Sequence, residues 1–540
     1  MHVGCKWFAP FHFANQPYFL DVKKRKEKDW FKLKRYLHIG LPLKSKDRNW
    51  VERYVSKTSN IENHAFLPFI HRKKKVRKFR KEIAHDGTRS KLRKPGTKVR
   101  ELYFANHLDS NVFSYFSSLL SKKYEDFVLK NDLDGTVTAY RQIPMDKSDL
   151  NSRNKCNIDF ANDVFERIKS FGPQHLAVFI LDISSFFDNL NHQILKRNWI
   201  KVIGSWKNLP KSHYNIFKNI TKFSFIEENE IFHLFKEEII CETSSGKQIK
   251  KPIKDLKFSK ENNAIAFCTK DDLGRIKGSG LITENKAYFK NGKKGDLRTK
   301  GIPQGSPISS VLANIYMIDF DIEMNDFAKS KGGFYQRYSD DMILVCPLVD
   351  SENVVKKINS EIKKVYLDIQ PSKTQEFHFF WDEEKNKYYC KFRNKATDKL
   401  LDKIPFEYLG FQFDGDRIGI KSSSLAKFHR KMKRSFKRAI RFAIHNKTKT
   451  RGKIFKSRLF KRFTHLGSKR RRIFRRSNKS SKKWIITNRY DWGNFLTYAN
   501  KSAYTMTNSF VKSQIKSHWA KFSKQMNTSM KIISDSLKRW

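Results

Sequence analysis

The chain lacks the cysteine patterns that mark disulfide-rich or zinc-binding proteins. Its six cysteines are scattered over 540 residues, and no two of them form a Cys-x-x-Cys pair. Separated thiols of this kind are typical of proteins kept in a reducing compartment. The sequence also lacks an apolar leader at its start and any apolar run of about 20 residues that could cross a bilayer. These absences predict a soluble, cytoplasmic protein with no zinc site and no membrane partner.

Acidic residues are scarce. The chain has 54 Asp and Glu against 111 Lys and Arg, which gives a formal net charge of +57. Charge of this size repels itself in a compact fold unless a polyanion neutralises it. The composition therefore predicts a nucleic-acid partner that is bound through its phosphates and released by salt. A ribosomal-type or other generic basic protein is the less favoured alternative on composition alone.

The length exceeds what one hydrophobic core usually supports, so two or three structural units are expected. Changes in composition along the chain predict their bounds. Residues 1–95 form a basic extension, residues 96–420 a central unit, and residues 421–540 a basic helical region. Within the central unit, residues 204–298 are polar and have turn pairs, which indicates an insertion of strands and loops.

Several elements can be predicted from periodicity. Helical patterns cover residues 107–130, 157–171 and 306–329. The run LAVFILDI at 176–183 is typical of a strand that is buried on both faces and ends in an acid. The segment YQRYSDDMILVCP at 335–347 has two β-prone flanks around a polar centre, which predicts a hairpin with acids at its turn.

Three aspartates are candidates for metal chemistry. Nucleotidyl transfer uses two divalent cations about 3.5–4 Å apart, held by carboxylates that converge from separate rigid elements. Asp182 ends the predicted buried strand, and Asp340 and Asp341 lie at the predicted hairpin turn. Adjacent acids at a turn are more often solvated turn residues. The tetrapeptide Tyr-Ser-Asp-Asp at 338–341 is therefore weak evidence of a metal site unless other segments of the sequence support it.

Those neighbours resemble the motifs of a known family. Five segments appear in the order of reverse-transcriptase motifs A to E: LDISSFFDNLNH at 181–192, GIPQGSPISSVLANIYM at 301–317, RYSDD at 337–341, the Lys-Thr of QPSKTQEF at 370–377, and EYLGF at 407–411. Upstream, TKVRELYFANHLDSNVFSY at 97–115 and TAYRQI at 138–143 are similar to the fingers motifs of the bacterial branch. The resemblance implies an α+β right-hand polymerase fold, with fingers, a palm built on an antiparallel sheet, and a helical thumb.

The resemblance also assigns the metal ligands and the substrate. Asp182 and Asp340 would be the main ligands of two Mg²⁺ ions, with Mn²⁺ as a substitute, and Asp341 and the Ile183 carbonyl would support them. Phe187 occupies the position of the gate that clashes with a ribose 2′-hydroxyl, which implies that dNTPs are the substrate. A phenylalanine of the core is the structural alternative for Phe187.

Five further residues match positions that touch the nucleotide. Gln304, in a Gly-x-x-Gln-Gly-type turn, would lie against the incoming nucleotide or the template base. Arg141, Lys98 and Arg100 resemble fingers residues that grip the triphosphate, where a guanidinium can bind two oxygens at once. Lys373 matches the lysine proposed to protonate the leaving pyrophosphate. Each of the basic residues could instead be a solvated surface charge or a phosphate contact.

The basic C-terminal region predicts an RNA-binding surface. Residues 421–490 contain 27 Lys and Arg and no Asp or Glu. Apolar residues recur at helical spacing along 427–444, which predicts a helix with one apolar stripe and a basic remainder. The residues expected to contact nucleic acid are Lys431, Arg434, Arg470, Arg471 and Arg472.

Other segments suggest a subfamily. FLPFI at 66–70, AYR at 139–141 and NKCNIDFANDVF at 154–165 look most like bacterial defence-associated reverse transcriptases, of the unknown-group and abortive-infection type. That likeness implies antiphage defence, a cognate structured noncoding RNA as template, and a DNA product. Self-association stays open. The alternatives are a group II intron maturase-like enzyme without its endonuclease, and an RNA-binding scaffold without polymerase activity.

Overall fold

The computed structural model describes residues 29–83, 89–149, 152–284, 287–290, 293–446, 448, 450–469, 472–476, 484–491 and 493–538. The helices within these ranges are α1 Arg48–Ser56, α2 Thr58–Glu62, α3 His107–Lys130, α4 Asn157–Lys169, α5 Phe186–Asn189, α6 His192–Ile203, α7 Lys211–Thr221, α8 Glu228–Phe235, α9 Leu273–Gly278, α10 Ser309–Tyr316, α11 Ile318–Ser330, α12 Ser351–Lys364, α13 Ser422–His445, α14 Lys456–Phe463, α15 Phe495–Thr505, α16 Val511–Lys516 and α17 His518–Lys538.

The strands of the same ranges are β1 Phe69–Ile83, β2 Arg89–Phe104, β3 Leu176–Asp182, β4 Ser224–Glu227, β5 Ile239–Glu242, β6 Gln248–Lys251, β7 Ala264–Ala266, β8 Thr283–Glu284, β9 Ala287–Lys290, β10 Lys293–Leu297, β11 Phe334–Tyr338, β12 Asp341–Pro347, β13 Gln375–Asp382, β14 Lys387–Asn394, β15 Lys399–Leu401, β16 Phe406–Tyr408, β17 Phe411–Phe413, β18 Ile418–Ile420, β19 Arg472–Arg476 and β20 Trp484–Tyr490.

A six-stranded antiparallel sheet in the order β11-β12-β3-β13-β14-β15 is the centre of the fold. The side chains of β3 alternate between two hydrophobic cores, with Phe179 and Leu181 in one and Leu176 and Val178 in the other. Both faces of β3 are therefore buried, which explains why its sequence is a continuous apolar run. The predicted strand and the predicted hairpin β11–β12 are confirmed, as is the α+β class with an antiparallel sheet.

The two cores cover opposite faces of this sheet. The first core joins it to α3, α6, α10, α11 and α12. The second joins it to α4, the small sheet β16-β17-β18 and α15. The predicted helices at 107–130 and 157–171 correspond to α3 and α4. The predicted helix at 306–329 is instead divided at Met317, whose amide donates to the Asn314 carbonyl three residues back, so the chain tightens there before α11 begins.

The segment 204–298 differs from its prediction because it contains helices α7, α8 and α9 as well as strands. Ile231, Phe232 and Phe235 of α8 share a third core with Ile39 and Ile70 from the N-terminal part of the chain. The segment is thus a folded layer against the N-terminal residues. Periodicity within the segment cannot reveal this core, because its partners Ile39 and Ile70 lie far away in the sequence.

The predicted boundary between residues 95 and 96 falls inside a strand. β1 and β2 form a long antiparallel hairpin, and β4 pairs only with Phe69, Ile70 and His71 at its base. Beyond those residues the hairpin is a two-stranded ribbon. In the described part of the predicted extension, α1 and α2 contribute Val51, Val55 and Ile61 to the first core and so pack with the central unit. Its residues 1–28 lie outside the described residues.

The C-terminal region is mainly helical, as predicted. Phe428, Met432 and Phe436 of α13 pack against Phe522 and Met526 of α17 in a fourth core. The predicted apolar stripe of α13 is confirmed by this packing. In the part of the chain that the structure describes, no helix has both the length and the apolar character needed to cross a membrane.

Candidate active site

Asp182 and Asp341 face each other directly across two central strands. In the register of β12 and β3, Asp341 is the partner of Asp182. Directly opposed residues of an antiparallel pair have Cβ atoms about 4.5–5.5 Å apart, and like charges in that arrangement are destabilising. Asp182 is also 8% exposed. Two opposed carboxylates at a nearly buried position indicate a site for a cation.

Asp340 completes the group from the turn between β11 and β12. Ser339 and Asp340 are the two turn residues, and Ser339 has a left-handed backbone with φ 63°. The Asp340 carbonyl accepts a hydrogen bond from the Ile183 amide at 3.3 Å. The residue that follows Asp182 is therefore joined to the hairpin turn, which holds the carboxylates of the two elements together.

A buried ion pair between Arg337 and Asp321 supports the turn between β11 and β12. Arg337 donates to both carboxylate oxygens of Asp321, at 2.7 and 2.6 Å, and neither side chain is exposed. Arg337 also donates to the Ser339 carbonyl at 3.1 Å. On the outer side, the Tyr140 hydroxyl lies 2.8 Å from that of Ser339. Ser339 is thus held on two sides, which fixes the left-handed conformation that a serine otherwise disfavours.

The electrostatics of the group favour cation binding. Burial, together with the neighbouring charges of Asp340 and Asp182, raises the pKa of Asp341 to about 6, whereas Lys373 and Lys421 oppose the shift. Lys373 Nζ forms an ion pair with Asp182 Oδ1. Crowded carboxylates that disfavour one another's charge are stabilised when a cation is added.

The donor set suits magnesium. Mg²⁺ prefers oxygen ligands and keeps several waters, so two or three carboxylates are sufficient. Among the described residues, no three Asp, Glu, His or Cys side chains are already gathered around one point as a metal cluster. The carboxylate of Asp182 is turned to Lys373, and a divalent ion would compete with that ammonium. The Ile183 carbonyl accepts no hydrogen bond from the described residues, so it could serve as a further oxygen ligand.

Phe187 lies in the short helix α5, which is joined to the segment around Gln304. Its carbonyl accepts a hydrogen bond from the Ile302 amide at 2.9 Å, and Phe187 is only partly buried at the margin of the first core. The preceding Phe186 is 4% exposed and belongs to the core itself. Of the two adjacent rings, Phe187 is the one able to meet a substrate.

Gln304 connects the site to the base of the long hairpin. The Gln304 carbonyl accepts from the Tyr103 amide at 2.9 Å. Gly305 has φ 117°, and a Cβ there would lie 3.0 Å from the Tyr103 carbonyl oxygen. A glycine is therefore required for β2 to approach this turn so closely.

Lys98 and Arg100 lie further out on β2, and both are exposed. At about 3.3 Å per residue, Arg100 is roughly 10 Å and Lys98 roughly 17 Å along the strand from Tyr103. Arg100 is directly opposite Lys74 on the same face of the ribbon. The structure brings the base of their strand to the site, and their contact with the triphosphate stays a prediction.

Arg141 is not available as predicted. Its side chain is 2% exposed and forms ion pairs with Glu125 and Asp134, both at 2.7 Å. It also donates to the carbonyls of Asp134 and Val137. All of its nitrogens are committed inside the protein, so we correct the assignment. Arg141 fixes the loop before Tyr140 and does not grip the triphosphate.

The predicted RNA-binding residues have different outcomes. Lys431 and Arg434 are exposed on α13, on the side away from its apolar stripe. Arg470 and Arg471 lie outside the described residues, and for Arg472 only the backbone, in β19, is described. The aromatics of this region also divide: Phe463 is buried in the fourth core, whereas Phe455, Phe474 and Trp484 are each more than half exposed.

Two residues at the site were missed by sequence reasoning. Tyr140 contacts Ser339, has a left-handed backbone with φ 66°, and is half exposed. Lys421 lines an open cavity of about 460 Å³ together with Asp341, Tyr338 and Tyr408. Tyr140 is adjacent to Arg141 in TAYRQI, so the motif was found but the wrong member of it was chosen. Nothing in the sequence distinguishes Lys421 from its many basic neighbours.

Comparison with known proteins agrees with this geometry. Residues 253–413 match the family model described as reverse transcriptase (RNA-dependent DNA polymerase). This segment is similar to a reverse transcriptase domain. The match contains Gln304, Asp340, Asp341 and Lys373, and the strand pairing of the sheet adds Asp182, which precedes it. A reverse transcriptase domain is an enzyme domain, and the antiparallel sheet with its flanking helices has the right-hand polymerase fold that the sequence predicted.

Solved structures give more distant similarities. The apo telomerase of Candida tropicalis is 13% identical, with 94% of this chain and 69% of that chain covered and a TM-score of 0.34. Its form truncated from the C-terminal domain is 12% identical, with 66% and 60% covered and a TM-score of 0.30. Telomerase from Candida albicans in complex with a fragment of telomeric RNA is 13% identical, with 75% and 58% covered and a TM-score of 0.32.

This chain spans 58–69% of the length of those telomerase chains. No curated protein matches the sequence.

Proposed function

We propose that this protein is an RNA-directed DNA polymerase that extends a primer with dNTPs along an RNA template. The observation that carries the proposal is the pairing of Asp182 with Asp341 across β3 and β12, with Asp340 at the adjoining turn. The match of residues 253–413 to the reverse-transcriptase family supports the same reaction.

The residues of the chain divide the work of the reaction. When bound, two divalent ions would activate the primer 3′-hydroxyl and neutralise the triphosphate. Asp182, Asp340 and Asp341 hold those ions, and Mg²⁺ is the ion we propose. Phe187 excludes the ribose 2′-hydroxyl, and Gln304 positions the nucleotide or its template base. The Lys373 ammonium pairs with Asp182. Once this ammonium moves away from the carboxylate, Lys373 supplies a proton to the leaving pyrophosphate.

The direct test is primer extension on an RNA template with the Asp340→Ala/Asp341→Ala double variant. We expect loss of Mg²⁺-dependent dNTP incorporation while the fold and RNA binding persist, because both side chains serve the site and lie outside the hydrophobic cores. Circular dichroism and RNA affinity are the controls. DNA synthesis by the folded double variant at the wild-type rate would refute the catalytic assignment.

The template and the biological role are proposed from the sequence resemblance. We propose that the basic C-terminal region binds a structured noncoding RNA that also supplies the template, and that the DNA product acts in antiphage defence. The exposed basic side chains of α13, such as Lys431 and Arg434, support RNA binding by this region. Sequencing the RNA that copurifies with the protein tests the first part, and plaque assays with and without the double variant test the second.

A further inference from the structure

The outward side of α13 has a stripe of four residues near its C-terminal end. Arg441 and Phe442 lie three and four residues after Arg438, and His445 lies four and three residues after them, so all four are on one face of the helix. They line an open depression of about 460 Å³. Its size is within the range of pockets that hold small ligands. The opposite face of the helix, with Phe436 and Ala443, is buried.

The aromatic part of this stripe is exposed to solvent. Phe442 is 48% exposed, and the ring of Phe455, next to it, is 54% exposed. The ring centroids are 5.5 Å apart with an interplanar angle of 50°. The two rings touch each other, and neither belongs to the fourth core that the neighbouring helices share. An apolar ring face is thus presented at a protein surface that is otherwise strongly basic.

The cations beside the rings have no acidic partner in the described parts of the chain. Arg438, Arg441 and His445 form no ion pair or side-chain hydrogen bond there. The sequence itself offers none nearby, since residues 421–490 contain no Asp or Glu. A planar guanidinium binds phosphate oxygens two at a time, and an exposed aromatic ring stacks on an unpaired base. The stripe therefore has complementary groups for both parts of a nucleotide.

We propose that Arg438, Arg441, Phe442, His445 and Phe455 form a binding site for one unpaired nucleotide of an RNA. The base stacks on Phe442 and Phe455, and the adjoining phosphate binds Arg438 and Arg441. This inference rests on the proposed RNA binding by the C-terminal region but not on polymerase activity. If primer extension fails, the nucleotide-binding site can still exist. If the binding experiment fails, the proposed polymerase activity is not affected.

The experiment measures the affinity of the full chain for an RNA hairpin with a four-uridine 3′ tail, and for the same hairpin with an abasic tail. Phe442→Ala should weaken binding of the uridine tail by about tenfold, because the base then loses the ring on which it stacks. The abasic-tail RNA should bind wild type and variant alike. Phe442→Leu, which keeps an apolar side chain without the ring, should behave as Phe442→Ala does.

The charge variant and the controls separate stacking from general attraction. Arg438→Gln/Arg441→Gln should reduce the magnitude of the slope of log affinity against log salt by about 0.7, since the two arginines share one phosphate and each phosphate contact on a single strand accounts for about 0.7. The loss from Phe442→Ala should shrink in that background, because the base is then no longer positioned. When Phe442→Ala is combined with Lys431→Gln/Arg434→Gln, which removes two exposed cations of the same helix, the loss of affinity caused by Phe442→Ala should be unchanged. Tyr504→Ala removes an aromatic that is 93% exposed elsewhere and should have no effect.

Three results would overturn the proposal. Equal losses for the uridine and abasic tails would show that Phe442 does not stack on a base. An effect of Tyr504→Ala as large as that of Phe442→Ala would show that any exposed ring serves. Tighter binding and a larger loss with a thymidine DNA tail than with the uridine tail would assign the site to single-stranded DNA and not to RNA.

Discussion

Asp341 carries its charge at a cost to the folded protein, so replacing it with asparagine should stabilise the metal-free enzyme. Burial and the charges of Asp340 and Asp182 raise its pKa from an ordinary value of 3.8 to about 6. A shift of one unit corresponds to about 1.36 kcal/mol, which places the cost of the charged form at about 3 kcal/mol. Asparagine has nearly the same shape and no charge, and it therefore avoids that cost.

The sign of the pH dependence follows from linkage. Between pH 4 and 6 the folded state binds the proton of Asp341 and the unfolded state releases it, so this group makes stability fall as pH rises. Below pH 4 both states are protonated, and above pH 6 the full cost is present. Asp341→Asn should thus resemble wild type at pH 4 and exceed it in stability at pH 8. For a chain of this length unfolding as one unit, 3 kcal/mol corresponds to about 3 °C in Tm.

The assay is thermal unfolding in EDTA from pH 4 to 8, repeated with Mg²⁺. Added Mg²⁺ should stabilise wild type, because a ligand that binds only the folded state shifts the equilibrium towards it, and should leave Asp341→Asn nearly unchanged. Glu384→Gln, at an exposed position, is the matched carboxyl-to-amide control. A lower Tm for Asp341→Asn than for wild type at pH 8 in EDTA would refute the electrostatic reasoning.

The remaining predictions concern Phe187 and Arg141. Phe187→Ala should raise the use of rNTPs relative to dNTPs by about tenfold or more, because a gate acts by steric overlap. Steady-state kinetics with both kinds of nucleotide measure this ratio. An active variant with unchanged sugar preference would show that Phe187 is a core residue. Phe186→Ala, at the adjacent buried ring, is the control and should lower stability without altering sugar preference. Arg141→Ala should destabilise the protein by about 2–4 kcal/mol, because it leaves Glu125 unpaired and leaves Asp134 with Lys147 alone, and should leave KM for dNTPs unchanged in the folded fraction. As a control, Lys155→Ala breaks an exposed pair with Asp163 and should lower the free energy of unfolding by less than about 1 kcal/mol. A raised KM for dNTPs in Arg141→Ala, with normal stability, would restore the triphosphate role of Arg141.

The central sheet and its acids could be predicted because their signals are local. A strand with both faces buried must be apolar along its length. The run LAVFILD of β3 is too short for a typical buried helix, so it predicts such a strand. The hairpin turn at Ser339 and Asp340 is similarly local, with β-prone residues on either side. What periodicity could not give was the pairing of Asp182 with Asp341, which depends on which strands become neighbours.

Arg141 shows why a matching position is insufficient to assign a role. The sequence places an arginine where the family has one, but the partners that bury it, Glu125 and Asp134, come from α3 and the loop after it. Ion pairs of this kind have no periodic signature. The same limit applies to the C-terminal aromatics, since Phe463 enters a core made with Phe522 of α17, and Phe455 remains exposed.

The order of the strands in the central sheet bears on how the protein is made. β3 has a neighbour on each edge in the finished sheet, β12 on one side and β13 on the other, and both are synthesised much later. Tyr140 and Ser339, which meet at the turn, are 199 positions apart. A nascent chain therefore holds an apolar strand with both edges unpaired during translation, a state prone to aggregate. The strong positive charge of the preceding residues repels other nascent copies of the chain, so it would protect this strand before any nucleic acid is bound.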